Sequence, residues 1–185
     1  MTCIPCEQLE TERLLLRRSV DADAEAIYST YARDMEVTRF LTWQPHKDIA
    51  ETRAFLSYCH DVWERGAAFP YVIIRKEDST LLGMIEVRTD GHRAEIGYVL
   101  ARPFWGKGYM TEALRALSRG TAAQPGIQRV WAFCDVENHA SRRVLEKAGM
   151  EREGLVHRWI KVPNLGDMAR DCYFYCLPPS PEDNR

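Results

Sequence analysis

The sequence predicts a layered α/β (α+β) domain, a mixed sheet with helices on its faces. Two observations lead there. Apolar residues recur at helical spacing in some stretches and cluster in short strand-like runs in others, in the order β-α-α-β-β-β-α-β-α-β-β. The chain has 185 residues, 45% apolar and 28% charged, a globular composition in a length that suits one domain with a full core.

Arg13–Arg18 (RLLLRR) is an apolar run with basic ends and reads as the first strand. Asp21 or Asp23 caps the helix that follows, where Ala24, Ile27, Tyr28 and Tyr31 share helical spacing. Met35–Pro45 reads as an aromatic-rich loop. A second helix runs from Asp48 to Arg65, with Ala50, Phe55, Tyr58, Cys59 and Val62 on one side and Gly66 closing it. Tyr71–Arg75, Leu81–Arg88 and Ala94–Leu100 then read as strands, separated by turn chemistry at Lys76–Ser79 and Asp90–Gly91. Tyr109–Arg119 is helical by the spacing of Met110, Ala113, Leu114 and Leu117. Arg129–Cys134 is a strand, Ala140–Lys147 a helix ended by Gly149, and Met150–Ile160 and Met168–Leu177 are two more strands. Residues 1–8 are expected to form an N-terminal extension, 9–177 a single domain, and Pro178–Arg185 a disordered tail.

Several classes of function fall away. A net charge of −2 gives no overall field for nucleic acid. No apolar run approaches the roughly 20 residues that span a bilayer, and no secretory signal opens the chain, so a cytoplasmic location is expected. Cys3 and Cys6 form a C-x-x-C, but no second ligand pair for zinc and no adjoining βαβ unit for redox chemistry accompanies them; no metal site is expected. No heptad pattern decides between monomer and homodimer.

The most informative segment is Glu95–Leu117 (EIGYVLARPFWGKGYMTEALRAL), where a strand ends and glycines open an amphipathic helix. A helix N-terminus offers unpaired N–H groups and the positive end of the dipole, and glycine lets an anion approach the backbone closely. A phosphate or pyrophosphate held at Gly106–Thr111 is the physical expectation. A Walker A loop is absent. A dinucleotide fingerprint would need a third glycine where Thr111 stands, although Asp135 could mimic its acidic residue, and Pro103 lies in the linker where a tight turn is wanted. Taken alone, the glycines fit a helix entry that binds nothing better than they fit a ligand site.

Five pieces in order resolve this: LETERLLL (Leu9–Leu16), EIGYVL (Glu95–Leu100), WGKGYMTEA (Trp105–Ala113), NHASRRVLEKAGM (Asn138–Met150) and EGLVHRWIKVPNLGDMARD (Glu153–Asp171). Together they resemble the GNAT superfamily of N-acetyltransferases, and within it the group containing the ribosomal-protein N-terminal (alanine/serine) acetyltransferases. The resemblance implies a mostly antiparallel sheet in which Ala94–Leu100 and Arg129–Cys134 splay apart around acetyl-CoA. It implies that the pantetheine arm pairs with the backbone of Tyr98, Val99 and Leu100. The pyrophosphate then sits on the amides of Gly106, Lys107, Gly108, Tyr109, Met110 and Thr111, and Asn138 bonds the pantetheine arm or orients its loop. Trp105 and Met110 depart from the superfamily pattern [QR]-x-x-G-x-[GA], as the subgroup tolerates. Leu145 stands where many members place a proton-donating tyrosine, so Ser141 is the candidate for bonding the leaving sulfur, its alternative being a helix cap.

The implied reaction is direct attack of an amine on the thioester, with no covalent enzyme intermediate. At pH 7.4 a lysine-type amine, pKa near ~10.4, costs about 4 kcal/mol to deprotonate, whereas an α-amine near ~7.8 costs well under 1 kcal/mol. Glu86 and Glu95, on adjacent strands, are candidate bases, with the alternative that they pair with Arg88 or Arg93; His157 is a third candidate. Acceptor recognition is expected from Val37–Lys47, Gly66–Phe69 and the Leu155–Asp171 hairpin, with Phe40, Trp43 and Trp159 lining the opening or packing in the core. The acceptor is a peptide N-terminus or a small amine.

Overall fold

The computed structural model describes residues 6–179, so Cys3 and most of the expected C-terminal tail lie outside the described residues. Eight strands form one sheet: β1 (Gln8–Glu10), β2 (Leu14–Arg18), β3 (Ala68–Arg75), β4 (Leu81–Asp90), β5 (Arg93–Leu100), β6 (Arg129–Asp135), β7 (Glu151–Lys161) and β8 (Ala169–Cys176), in the order β1-β2-β3-β4-β5-β6-β8-β7. Every neighbouring pair is antiparallel except β5 and β6.

Three elements differ from the sequence expectation. Leu9 and its polar neighbours form β1, pairing with β2 through Gln8↔Arg17, so the first strand becomes a hairpin and begins inside the expected extension. The helix after Asp23, α1 (Ala24–Ile27), widens into a π turn over Tyr28–Ala32. Neither candidate aspartate caps it through a side-chain bond from its own position; instead Asp23 reaches back to accept the Val20 N–H at 2.9 Å and pairs with Arg17. Within the expected loop lies one helical turn, α2 (Met35–Thr38), capped by Asp34, which accepts the N–H of Glu36 at 2.9 Å.

The longer helices follow their signals. In α3 (Ile49–Glu64), Asp48 caps by accepting the Glu51 N–H at 3.1 Å, and Gly66 takes the left-handed conformation beyond its end. α4 (Tyr109–Ala122) starts from Gly108, and α5 (His139–Ala148) is capped by Asn138 and ended by left-handed Gly149.

Two cores cover the two faces. One joins Tyr109, Met110, Leu114 and Leu117 of α4 and Leu145 of α5 to Leu16, Ile73, Ile85, Ile96 and Ala132. The other joins Ile27, Tyr31, Val37, Leu56 and Cys59 to Val72, Leu81, Met84 and Ala101. Leu81 and Met84 can share one face, with Leu82 and Ile85 on the other, because the β3–β4 register shifts between Ile73 and Ile74. Among the described residues, no helix is long and apolar enough to cross a membrane.

Candidate active site

The site begins where β5 and β6 separate. They pair only through Arg93↔Arg129, Ala94↔Val130 and Glu95↔Trp131. Beyond Glu95, β5 stays on β4 as far as Leu100↔Gly83, while β6 stays on β8 as far as Asp135↔Cys172. The opening runs into a cavity of about 1060 Å³ bordered by Phe40 and Trp43, Glu86, Gly106, Thr111 and Ser141.

The exit of β5 leads to the glycine turn. Gly106 and Gly108 have φ of 74° and 80°, values that a side chain strains to adopt. The α4 ladder starts with the Glu112 N–H donating to the Gly108 carbonyl at 3.0 Å, so the amides of Tyr109, Met110 and Thr111 precede it. Tyr109 and Met110 bury their side chains and anchor the turn, leaving Gly106, Lys107 and Gly108 exposed. A residue missed from sequence braces it. Arg13, in the turn just before β2, donates to the Lys107 carbonyl (3.2 Å) and pairs with Glu112 (2.7 Å), which also accepts from the Thr11 hydroxyl at 2.6 Å. Those partners lie about a hundred positions apart, so no local pattern announces them.

Other placements refine the expectation. Leu100, expected among the pantetheine contacts, already has its carbonyl accepting the Trp105 indole N–H at 2.6 Å, which gives that departure from the pattern a structural role. Asn138 accepts the Ser141 backbone N–H (3.1 Å) and caps α5, so the cap that Ser141 was weighed for belongs to Asn138. The Ser141 hydroxyl instead lies 2.7 Å from the Tyr98 hydroxyl, which crosses from β5. Cys134 of β6 sits beside Ser141; burial pushes its thiol up to about 12, leaving it neutral and unsuited to nucleophilic attack. Asp135 is buried and paired with Arg170, which closes the dinucleotide alternative in which it would bind a ribose.

On the other face of β5 stand the carboxylates. Glu86 is opposite Gly97 and Arg88 is opposite Glu95. Arg88 pairs with Glu86 and, at 3.1 Å, with Glu95, so the ion-pair alternative holds for both carboxylates with Arg88, while Arg93 pairs with Asp90. Burial raises the Glu86 pKa, and the guanidinium of Arg88 opposes that rise. His157 is elsewhere: its Nδ1 bonds Asp171 at 2.7 Å on the exposed face of β7, away from the cavity lining. Trp159 also leaves the opening; it packs edge-on against Phe133 and Phe174. Phe40 and Trp43 do line the cavity.

A sheet split along one parallel pair, ending on an anion-ready helix start with hydroxyls and carboxylates flanking the gap, fits the acyl-CoA transferase that the sequence resemblance leads one to expect. Residues 13–151 match the family model "Acetyltransferase (GNAT) domain", and the chain belongs to that family of acetyl-CoA-dependent acetyltransferases. It is similar to the uncharacterized N-acetyltransferase p20 of Bacillus licheniformis, 32% identical over 84% of this chain and 88% of that protein. It is 26% identical to the [ribosomal protein uS5]-alanine N-acetyltransferase of Escherichia coli, with 86% of each covered. A solved GNAT-family acetyltransferase from Bacillus anthracis superposes with a TM-score of 0.79 at 28% identity, covering 91% of this chain and 96% of that one. The residues present fit acetyl-CoA: left-handed glycines expose the helix-start amides, and the parted strands leave an edge beyond Glu95. Among the described residues, no cluster of metal-ligating side chains occurs.

Proposed function

We propose that the chain acetylates a primary amine by direct attack in a ternary complex, and that the acceptor is a protein N-terminal α-amine. The carrying observation is Glu86, a half-buried carboxyl with a raised pKa that faces Gly97 beside the parted strands. In this reading Gly106–Thr111 hold the pyrophosphate by backbone N–H groups, Tyr98, Val99 and Leu100 present the edge for the pantetheine arm, and Asn138 holds the loop that carries Ser141. Acetyl-CoA supplies the activated acetyl thioester. Glu86, with Glu95 behind Arg88, takes the amine proton directly or through water, and Ser141 faces the departing sulfur.

An α-amine suits these residues because its pKa near ~7.8 makes it cheap to deprotonate near neutral pH, so it asks little of a base held beside a guanidinium. The alanine N-acetyltransferase relative supports the same choice. A small apolar amine is the second reading, favoured by Phe40 and Trp43 at the cavity. Calorimetric titration with acetyl-CoA, with NAD and ATP as controls, is the first test, followed by thiol release with peptides and small amines. Micromolar binding of acetyl-CoA alone is expected, with faster turnover on peptides. No binding would remove the pyrophosphate assignment; binding without thiol release from any amine would make the chain a cofactor-binding module.

A further inference from the structure

We infer that Tyr98 is the proton source behind Ser141: its phenol, 2.7 Å from the Ser141 hydroxyl, feeds the proton that Ser141 hands to the sulfur leaving the acetyl group. The inference rests on the acetyl-transfer reading above.

The geometry is specific. Tyr98 belongs to the stretch of β5 from which β6 has parted, and its side chain crosses to the first turn of α5. Its oxygen is 2.7 Å from the Ser141 hydroxyl and 3.3 Å from the Ser141 carbonyl, so the single phenolic proton has its nearer acceptor in the hydroxyl. When Tyr98 donates, the Ser141 proton is free to point into the cleft. Asn138 fixes the backbone of Ser141 from the other side, and Leu145 of the same helix is buried and apolar. The neighbouring titratable groups do not supplant the phenol. Cys134 of β6 is a buried neutral thiol, and the Tyr175 hydroxyl of β8 is 3.2 Å from Glu146 of α5.

Chemistry requires something behind the serine. A serine hydroxyl alone would become an alkoxide, far more basic than the thiolate it serves. A phenol, ordinarily near ~10, is a far stronger acid than a serine hydroxyl and so the better ultimate donor to a sulfur whose thiol lies near ~8.5. Burial raises the phenol, holding it protonated between turnovers, while its contact with Ser141 offsets part of the rise. As the amine nitrogen bonds the acetyl carbon, the carbon–sulfur bond breaks with its electron pair on sulfur. Sulfur takes the Ser141 proton, Ser141 takes the Tyr98 proton, and water restores the phenol as the thiol leaves. The proton lost by the amine goes to Glu86 or to water. Tyr98 thus acts through Ser141 and is a positioning residue.

The test compares Tyr98→Phe, Ser141→Ala and the double variant in the full chain. Each single change should lower kcat about a hundredfold while the Kd for acetyl-CoA stays within about twofold, and the double variant should be no slower than the slower single. A second readout needs no turnover: the pKa of the thiol of bound coenzyme A, followed by thiolate absorbance, should rise in each single variant because a donor to the thiolate is lost. Unchanged kcat and thiol pKa in Tyr98→Phe, or losses that multiply in the double variant, would overturn the relay. If Tyr98→Phe does not fold, fluorotyrosine at position 98 keeps the hydroxyl but acidifies it, and the bound thiol pKa should fall; no movement overturns the inference. A wild-type chain that binds acetyl-CoA yet acetylates nothing refutes the transfer reading instead, and the thiol titration still decides whether Tyr98 reaches the sulfur through Ser141.

Discussion

The two sides of β5 carry opposite chemistry. Its even-numbered residues, Ala94, Ile96, Tyr98 and Leu100, pack toward α4 and α5, where the Tyr98 hydroxyl meets Ser141. Glu95 and Gly97 present to the other side, where Glu86 and Arg88 stand across the β4–β5 ladder and Val99 packs toward α1 and α3. Hydroxyls therefore border one face of the gap and carboxylates the other. Because successive side chains on a strand alternate faces, one strand can serve proton removal and proton delivery without the two groups neutralising one another. The comparison also separates what is rigid. The hydroxyl side is backed by the larger core, whereas the carboxylate side opens through a single helical turn, α2, toward Phe40 and Trp43.

The largest way to disturb both sides together is at Gly83. A Cβ there would lie 2.1 Å from the Val99 carbonyl oxygen and 2.9 Å from the Leu100 Cα, backbone atoms that cannot rotate away. Gly83→Ala should therefore push β5 off β4 and destabilise the fold by about 3 kcal/mol, lowering Tm by roughly 6–12 °C. Thermal unfolding checks this, and acetyl-CoA binding should weaken in parallel because Val99 and Leu100 belong to the displaced edge. A stable variant with native affinity would mean that the strands approach less closely than described.

The carboxylate side is tested next. Glu86→Gln should lower kcat on a peptide amine about a hundredfold at pH 7 while leaving acetyl-CoA affinity unchanged. Glu95→Gln should cost less, because Glu95 lies one step further along the ladder and touches Glu86 only through Arg88. Equal losses in the two variants would make the carboxylates a single unit around Arg88; no loss in either would leave the amine to lose its proton to water alone.

The cofactor side is tested by Gly108→Val. Nothing crowds a Cβ at this position except the Arg13 guanidinium at 3.5 Å, so the cost comes from φ of 80°, about 1–2 kcal/mol for a side chain. Affinity for acetyl-CoA should fall about tenfold or more from that strain and from bulk over the exposed amides. Calorimetry measures it. Unchanged affinity would detach the pyrophosphate from this turn.

These sites were not equally legible in the sequence. The turn was visible because its signal is local: glycines, a helix-start threonine and the apolar spacing of Met110, Ala113 and Leu114 lie within a few residues. The strands and long helices were visible for the same reason. β1 was not, since Gln8, Leu9 and Glu10 carry too short a pattern and become a strand only against Leu15–Arg17. One-turn α2 depends on its Asp34 cap and on Val37 entering a core assembled from distant elements. Arg13 with Glu112, and Tyr98 with Ser141, are joined by tertiary proximity alone. His157 looked suitable because of its titration range, which says nothing about where a bulged strand points it. The carboxylates sat between these cases: adjacent strands placed Glu86 and Glu95 together, but only the register put Arg88 between them.

The smallest expected effect is a shift in pH dependence, and it addresses the carboxylate side directly. Glu86 works as a base when ionised, so activity should rise with pH through its pKa. Burial raises that pKa, which moves the acidic limb of kcat/KM above where a fully solvated glutamate would put it. Arg88 pulls the other way, and Glu95 adds to the rise as a like charge. Arg88→Gln removes the opposing cation, so the Glu86 pKa climbs further and the limb moves to higher pH, leaving the plateau at alkaline pH little changed. Glu95→Gln removes a like charge and should move the limb down. Opposite displacements in the two variants, measured as kcat/KM against pH on one peptide acceptor, would assign the limb to Glu86. A limb unmoved by either change would assign it to a group outside this ladder, such as the acceptor amine itself.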